Sequence, residues 1–311
     1  VTALLTFSGK VALDHPGEQN HVSVAAKTVS DVIHSHFGVL TRAEKQLAES
    51  LLDNYPVSGL GSITTIAENA GVSTPTVVRM VQKLGYKGYP DFQQHLHQEV
   101  EATISNPIAK HDRWAQNAPG THILNRFADA IMGNLRQTLS DLDTATFDNV
   151  AALLSDRKRT LYFVGGRITG ALAEYFFTHM QVIRPNTALL SSNSSSWPQY
   201  VLNMNPGDLL IIFDIRRYEQ EMVSLATAAR KRGAEIIVFT DQWASPAAKL
   251  ARHVFRVQIE APSAWDSSVV TLFIVEALIE AVQNSTWDET KERMKTLEGL
   301  FEQTRLFRKP G

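Results

Sequence analysis

Apolar residues recur every three or four positions through the first third of the chain. From about residue 160 they gather instead into short unbroken runs separated by helical stretches. The first pattern predicts an all-helical domain over 28–105. Val29, Val32, Ile33 and Phe37 form one stripe, and Thr41-Arg-Ala-Glu44 is a capping box opening a helix toward Asn54. Ile63, Ile66 and Ala67 give the next helix its apolar face. Gly71 stands where a helix C-cap needs positive φ, and Val72 plugs the turn. Ser73 is an N-cap candidate, with Pro75 suited to the first turn. Val77, Met80, Val81 and Leu84 face inward, which leaves Thr74, Thr76, Arg79 and Lys83 facing out until Gly85 ends the helix. Asp91 caps a further helix through Val100.

Residues 106–120, with two prolines and a glycine, read as a linker. A helix pair over His122–Leu139 and Phe147–Ser155 follows. Strands are predicted at Thr160–Val164, Thr187–Leu190, Asp208–Phe213, Glu235–Thr240 and His253–Ile259. Helices fall at Gly170–Met180, Tyr218–Arg232 and Ala264–Gln283. This alternation predicts a parallel sheet sandwiched between helices. The expected fold is therefore two-domain: an all-α helix-turn-helix domain, then an α/β domain over 121–285. Residues 1–27 read as a loosely ordered extension and 286–311 as a helical tail. Ligands of such sheets sit outside the carboxyl ends of the strands, here Gly165–Thr169, Ser191–Ser196, Asp214–Tyr218 and Asp241–Ser245.

Two short helices joined by a tight turn, the second carrying cations outward, are the means of presenting a helix to the DNA major groove. Between Glu68 and Asp91 the only charged residues are the cations Arg79, Lys83 and Lys87. They can meet phosphates, and Arg79 can instead reach a guanine edge. Thr74 and Thr76 are candidates for phosphate or base contact. The plainer alternative is a helical hairpin with a basic outer face.

Composition narrows the classes. The chain has 311 residues, net charge −2 and no cysteine. That length suits two domains, and general attraction to polyanions is not implied. Disulfides and thiolate metal sites are excluded, and a reducing, cytoplasmic location is expected. No apolar run is long enough to span a bilayer, and the stretch Val269–Val282 is cut by Glu276 and Glu280. The start lacks the pattern of a signal peptide. The paired histidines His34 and His36, and His95 and His97, are spaced by two and diverge on a helix, so no metal site is expected. The run Gly165–Gly170 lacks dinucleotide-loop spacing, and no cofactor is expected.

The chain resembles the RpiR/MurR family of bacterial transcriptional regulators, which join a helix-turn-helix domain to a sugar isomerase (SIS) domain. The resemblance rests on Leu40-Thr-Arg-Ala-Glu44, Ile66-Ala67, Val72-Ser73-x-x-Thr76-x-x-Arg79 and Lys83-Leu-Gly-Tyr-Lys87-Gly-Tyr89-x-Asp91-Phe92. Gly233-Ala234, Thr240 and Ser245-Pro-Ala247-x-x-Leu250-Ala251 extend it into the second domain. The resemblance implies that Ser73, Thr76, Arg79 and Lys87 lie at a double-stranded operator. It also implies a homodimer or homotetramer, because a two-fold operator needs paired reading heads.

The ligand loops depart from that family. Its first loop reads Gly-x-Gly-x-Ser; here it is Gly165-Gly-Arg167-Ile-Thr169. Its second reads Ser-x-Ser-Gly-x-Thr-x-Glu; here it is Asp214-Ile-Arg216-Arg217-Tyr-Glu219-Gln-Glu221. A phosphate nest needs glycine, and Arg217 is a poor occupant of a positive-φ position. Asp214 repels a dianion, whereas Arg167, Arg216 and Arg217 offer guanidinium forks. Three readings stand: an anionic metabolite held by arginine side chains, a ligand of both charge signs, or no ligand, with Arg216 and Arg217 in salt bridges. Ser191, Ser192 and Asn193 are further candidate contacts, or else a polar connection. Ser267 and Ser268 open the closing helix and either bind an anion or merely cap. An isomerase is the alternative class; its base would come from Glu174, His179 or Glu219. The regulator is the reading favoured, and no catalytic residue is assigned.

Overall fold

The computed structural model of the chain describes residues 28–53, 55–104, 108, 110, 111 and 122–305. The extension over 1–27, most of the linker over 106–120 and residues 306–311 lie outside the described residues.

Five helices build the first domain: α1 (Val29–His36), α2 (Arg42–Asp53), α3 (Ile63–Asn69), α4 (Thr74–Lys83) and α5 (Tyr89–Ile104). Local chemistry fixes their starts. Thr28 and Asp31 form a reciprocal capping box on α1, and the Thr41 N–H donates to Glu44 Oε2 at 2.8 Å at the start of α2. Ser62 caps α3 by accepting from the Thr65 N–H. The apolar stripes meet in one core of Ile33, Leu47, Leu51, Ile66, Val77, Met80, Val81, Phe92 and Leu96. Gly71 and Gly85 sit at φ 63° and 94°, so the turns bracketing α4 use the left-handed region glycine enters without strain. Gln46 on α2 holds the first turn, donating to Ala70 O at 2.8 Å.

The second domain opens with α6 (Ile123–Asp141) and α7 (Thr144–Ser155). The α7 helix starts at Thr144 rather than Phe147 because the Asp143 carboxylate accepts from the Ala145 and Thr146 N–H groups. Then come β1 (Leu161–Gly165), α8 (Gly170–Ile183), β2 (Thr187–Leu189), α9 (Trp197–Asn203), β3 (Leu209–Phe213), α10 (Gln220–Lys231), β4 (Glu235–Asp241), β5 (His253–Val257), α11 (Val269–Ser285) and α12 (Trp287–Thr304). The five strands form one sheet in the order β2-β1-β3-β4-β5, and each neighbouring pair is parallel. Alternate residues enter opposite cores. Phe163, Ile211, Phe213, Phe239 and Phe255 pack under α7, α8 and α11. Tyr162, Leu210, Ile212, Ile236 and Val238 pack under α9 and α10. Phe213, Phe239 and Phe255, in register across three strands, stack at 4.6 and 4.7 Å. No single helix among the described residues is long and apolar enough to cross a membrane.

Two helix starts differ from the sequence reading. The α10 helix opens at Gln220, not Tyr218, because Arg216 and Arg217 hold φ of 37° and 54°, and that turn is incompatible with a right-handed helix. The closing helix opens at Val269, not Ala264, because the Ser267 N–H is drawn back to Ile259 O at 2.8 Å.

Candidate functional site

The α4 helix lies with Val77, Met80 and Val81 in the core and Ser73, Arg79 and Lys83 exposed. Thr74 is half-buried, and Lys87, just past the helix, is exposed. Thr76 departs from expectation: it is only 6% exposed. Its Oγ1 lies 2.9 Å from Ser73 Oγ, and Arg79 Nη2 donates to it at 3.5 Å. Thr76 is therefore buried, with its hydroxyl engaged by Ser73 and Arg79 of its own helix region. Gln82, also exposed, was missed by attention to charge. Its spacing of three from Arg79 was the available signal, and an amide there can pair with adenine. Thr64 and Thr65 on α3 are exposed as well, on the helix that crosses the phosphates in this arrangement.

Lys83 is not idle. Its Nζ lies 2.6 Å from Glu44 Oε2. Burial opposes ionisation of Glu44, but the bonds from Lys83 and Thr41 outweigh it and hold the carboxyl below its usual range. Glu44→Gln keeps an acceptor for the cap while removing the charge that restrains Lys83. Its expected result is stronger non-specific DNA binding, with the salt dependence steeper by about one ion; fluorescence anisotropy across a salt series checks it.

At the other end of the chain's chemistry, the carboxyl ends of β1 and β3 form a small open cleft of about 110 Å³. Gly165 lets the first loop close, since a Cβ there would stand 2.5 Å from Thr169 O. Thr169 Oγ1 donates to Phe213 O at 2.7 Å and accepts from the Gly166 N–H at 2.9 Å. The hydroxyl therefore ties two strand ends together and is spent on structure. Arg167 is exposed at the rim, and its backbone N–H already donates to Glu219 Oε1 at 3.2 Å.

The second loop corrects the sequence reading. Both arginines occupy left-handed backbone, Arg217 included. Arg216 is not a free fork: its side chain is 7% exposed, with Nε 2.7 Å from Asp266 Oδ2 and Nη2 3.4 Å from Glu260 Oε1. Its guanidinium also lies 4.4 Å from the Trp243 ring centroid. The Arg216 N–H donates to Asp241 Oδ2 at 2.7 Å. Asp241 further accepts from Tyr218 Oη at 2.6 Å and the Trp243 N–H at 3.0 Å. Burial nonetheless pushes its carboxyl up. This buried web holds the loop where a glycine-rich turn would otherwise be needed. Arg217 remains exposed and lines the cleft. Asp214 lines it too, is buried, accepts from Ser245 Oγ and is pushed up to about 6 by burial, with Asp241 and Glu219 adding repulsion.

Apart from Thr169, the hydroxyl and amide candidates are not in this cleft. Ser191 and Ser192 line a neighbouring opening between β2 and α8, with Glu174, Tyr200 and Glu221, and the two share Gly166, Arg167 and Glu219. Asn193 caps the turn after β2, accepting from the Ser195 N–H at 3.1 Å. Ser267 is buried, and its Oγ accepts from the Val269 N–H at 3.3 Å; Ser268 is the half-buried N-cap residue of α11, with no side-chain cap bond. Neither serine lines the cleft. Lys110, placed by sequence in the linker, does line it and is 2% exposed. Lone lysines in polar segments carry no signal of such docking.

Residues 27–103 match the model of the rpiR-family helix-turn-helix domain, and residues 153–281 match the SIS domain. The HTH-type transcriptional regulator HexR of Pseudomonas aeruginosa is 26% identical over 220 residues, covering 69% of this chain and 73% of that protein. HexR of Escherichia coli is 22% identical over 287 residues, covering 88% and 94%. Among solved structures, the Vibrio vulnificus NanR protein complexed with ManNAc-6P matches at 19% identity and TM-score 0.50, covering 90% of this chain and 99% of that one. The sugar isomerase domain of an RpiR transcription factor from Sphaerobacter thermophilus matches at 21% identity and TM-score 0.52, covering 56% and 97%. The helical reading head and the five-stranded parallel sheet behind it are those of one regulator architecture, and the chain belongs to the RpiR family of helix-turn-helix transcriptional regulators with a SIS domain.

Proposed function

We propose that this regulator reads its operator through Arg79, Gln82 and Lys83 of α4, with Ser73, Thr74 and Lys87 on phosphate, and senses a small anionic metabolite at the β1–β3 cleft. The observation carrying the second half is the division of labour among the arginines. Arg216 is consumed in buried pairs, whereas Arg167 and Arg217 stand exposed at the cleft. Guanidiniums grip carboxylate or phosphate bidentately without a glycine nest. NanR, of similar fold, is complexed with a phosphorylated sugar, which fits an anion as the common element. The domain senses rather than catalyses: Glu174 and His179 lie exposed on α8, and Glu219 is turned onto the Arg167 N–H. Two or four copies assemble through the α11 face, where Val269 and Phe273 are 48% and 42% exposed.

The test is isothermal titration with sulfate, which stays fully ionised across the working range. Arg167→Ala with Arg217→Ala should abolish binding; unchanged affinity in that variant removes the assignment. The wild-type affinity should fall as pH rises through about 6, where Asp214 gains its charge beside the anion. The sign follows from the raised value: the neutral carboxyl favoured by burial persists below that pH and is lost above it. Asp214→Asn should flatten the profile.

A further inference from the structure

Three cationic or donor groups at the cleft, the Arg167 N–H, Arg216 and Lys110, are each met by one of the chain's own carboxylates. Glu219 takes the Arg167 N–H. Asp266 takes the buried Arg216, and through Oδ1 it also takes Lys110 Nζ. Lys110 donates in addition to Trp265 O at 3.3 Å. Lys110 and Asp266 are 156 residues apart in sequence, and Lys110 belongs to the segment joining the two domains. A lysine pays substantial rotamer entropy to be held in one place, and this one is almost fully buried against the cleft wall.

We infer that Lys110 is a ligand-contacting residue of the anion cleft, delivered by the interdomain segment and held ready by Asp266, so that the chain leading to the DNA-binding domain itself touches the metabolite. The inference rests on the cleft being an anion site. An anionic group drawn in by Arg167 and Arg217 arrives beside Lys110 Nζ, which has three donors to share among Asp266, Trp265 O and the newcomer. Asp266 is therefore both the holder of Lys110 and a competitor for it. A ligand of one negative group engages Lys110 only by loosening Asp266; a phosphate or dicarboxylate reaches the lysine and the rim arginines together. Occupancy at the strand ends is thereby linked to the segment that follows α5 without any motion of the sheet.

Sulfate titration of the full-length chain at fixed ionic strength tests this. Lys110→Met should weaken sulfate about tenfold, the usual loss for a charge-assisted bond, and Lys110→Arg should restore most of it. Asp266→Asn should tighten sulfate in the wild-type background and have no such effect when combined with Lys110→Met. Hydrogen exchange in peptides containing Lys110 should slow on adding sulfate to wild type and not to Lys110→Met. A purely structural Lys110–Asp266 pair would lower the melting temperature of the variants while leaving sulfate affinity unchanged, and that result overturns the inference. If instead Arg167→Ala with Arg217→Ala binds sulfate like wild type, the anion cleft itself is wrong, whatever the Lys110 variants do.

Discussion

Arg79→Ala lowers operator affinity by about 1–3 kcal/mol, a loss of roughly ten- to a hundredfold, and relaxes preference at one base pair. The expectation follows from position. Arg79 is the exposed cation in the middle of α4, on the side opposite Met80 and Val81, and its guanidinium is steered by Thr76 Oγ1 at 3.5 Å. Among the described residues its one such tie is weak, so the side chain is available to a base edge at little cost. Removing it leaves no cavity, and the melting temperature should hold within error. Binding to a fragment selected from a random DNA library, measured by anisotropy, gives the number. An affinity within twofold of wild type would take Arg79 off the bases.

The second large effect is on stability. Arg216→Ala should cost about 3 kcal/mol, at the low end of what breaking a buried ion pair costs, because Asp266 keeps Lys110 but loses the second of its two buried cationic partners. The alanine also inherits φ 37° without the guanidinium that makes that backbone worthwhile, and the Trp243 ring loses its cation. For a domain of this size the melting temperature should fall by on the order of 10 °C. Urea unfolding, with the slope checked against wild type, distinguishes lost stability from a changed unfolded state. DNA contacts are untouched, so operator affinity of the folded fraction should match wild type. This is why an effector test built on Arg216 would mislead, and why Arg167 and Arg217 carry it instead.

The architecture was legible because each level of the sequence agreed. The strand cores Leu209–Phe213 and Glu235–Asp241 lie close to where unbroken apolar runs placed them, and Gly71 and Gly85 have the positive φ their positions demanded. Side-chain commitments were less legible. Thr76 follows outward from a helical wheel, yet it is buried with its hydroxyl bonded to Ser73 and Arg79. The ligand loop was harder still. Glycine logic ruled against a left-handed Arg217, but the Asp241 carboxylate, accepting the Arg216 N–H, lies 25 residues away in sequence and stabilises a turn that propensity alone disfavours. Lys110 was invisible for the same reason: its partner Asp266 is brought to it only by the fold. Ser267 and Thr169 read as ligands because hydroxyls at strand and helix ends look alike whether they cap or bind; only their partners tell them apart.

In the proposed mechanism an anion at the β1–β3 cleft and an operator on α4 are coupled through one chain. The measurement that meets it head-on is reciprocal titration. Operator affinity is measured with and without the acidic metabolite that most raises the melting temperature, and metabolite affinity with and without operator. The expected result is the same factor in both directions, different from one and typically 5- to 150-fold. A factor of one both ways, with each ligand binding normally, would contradict it.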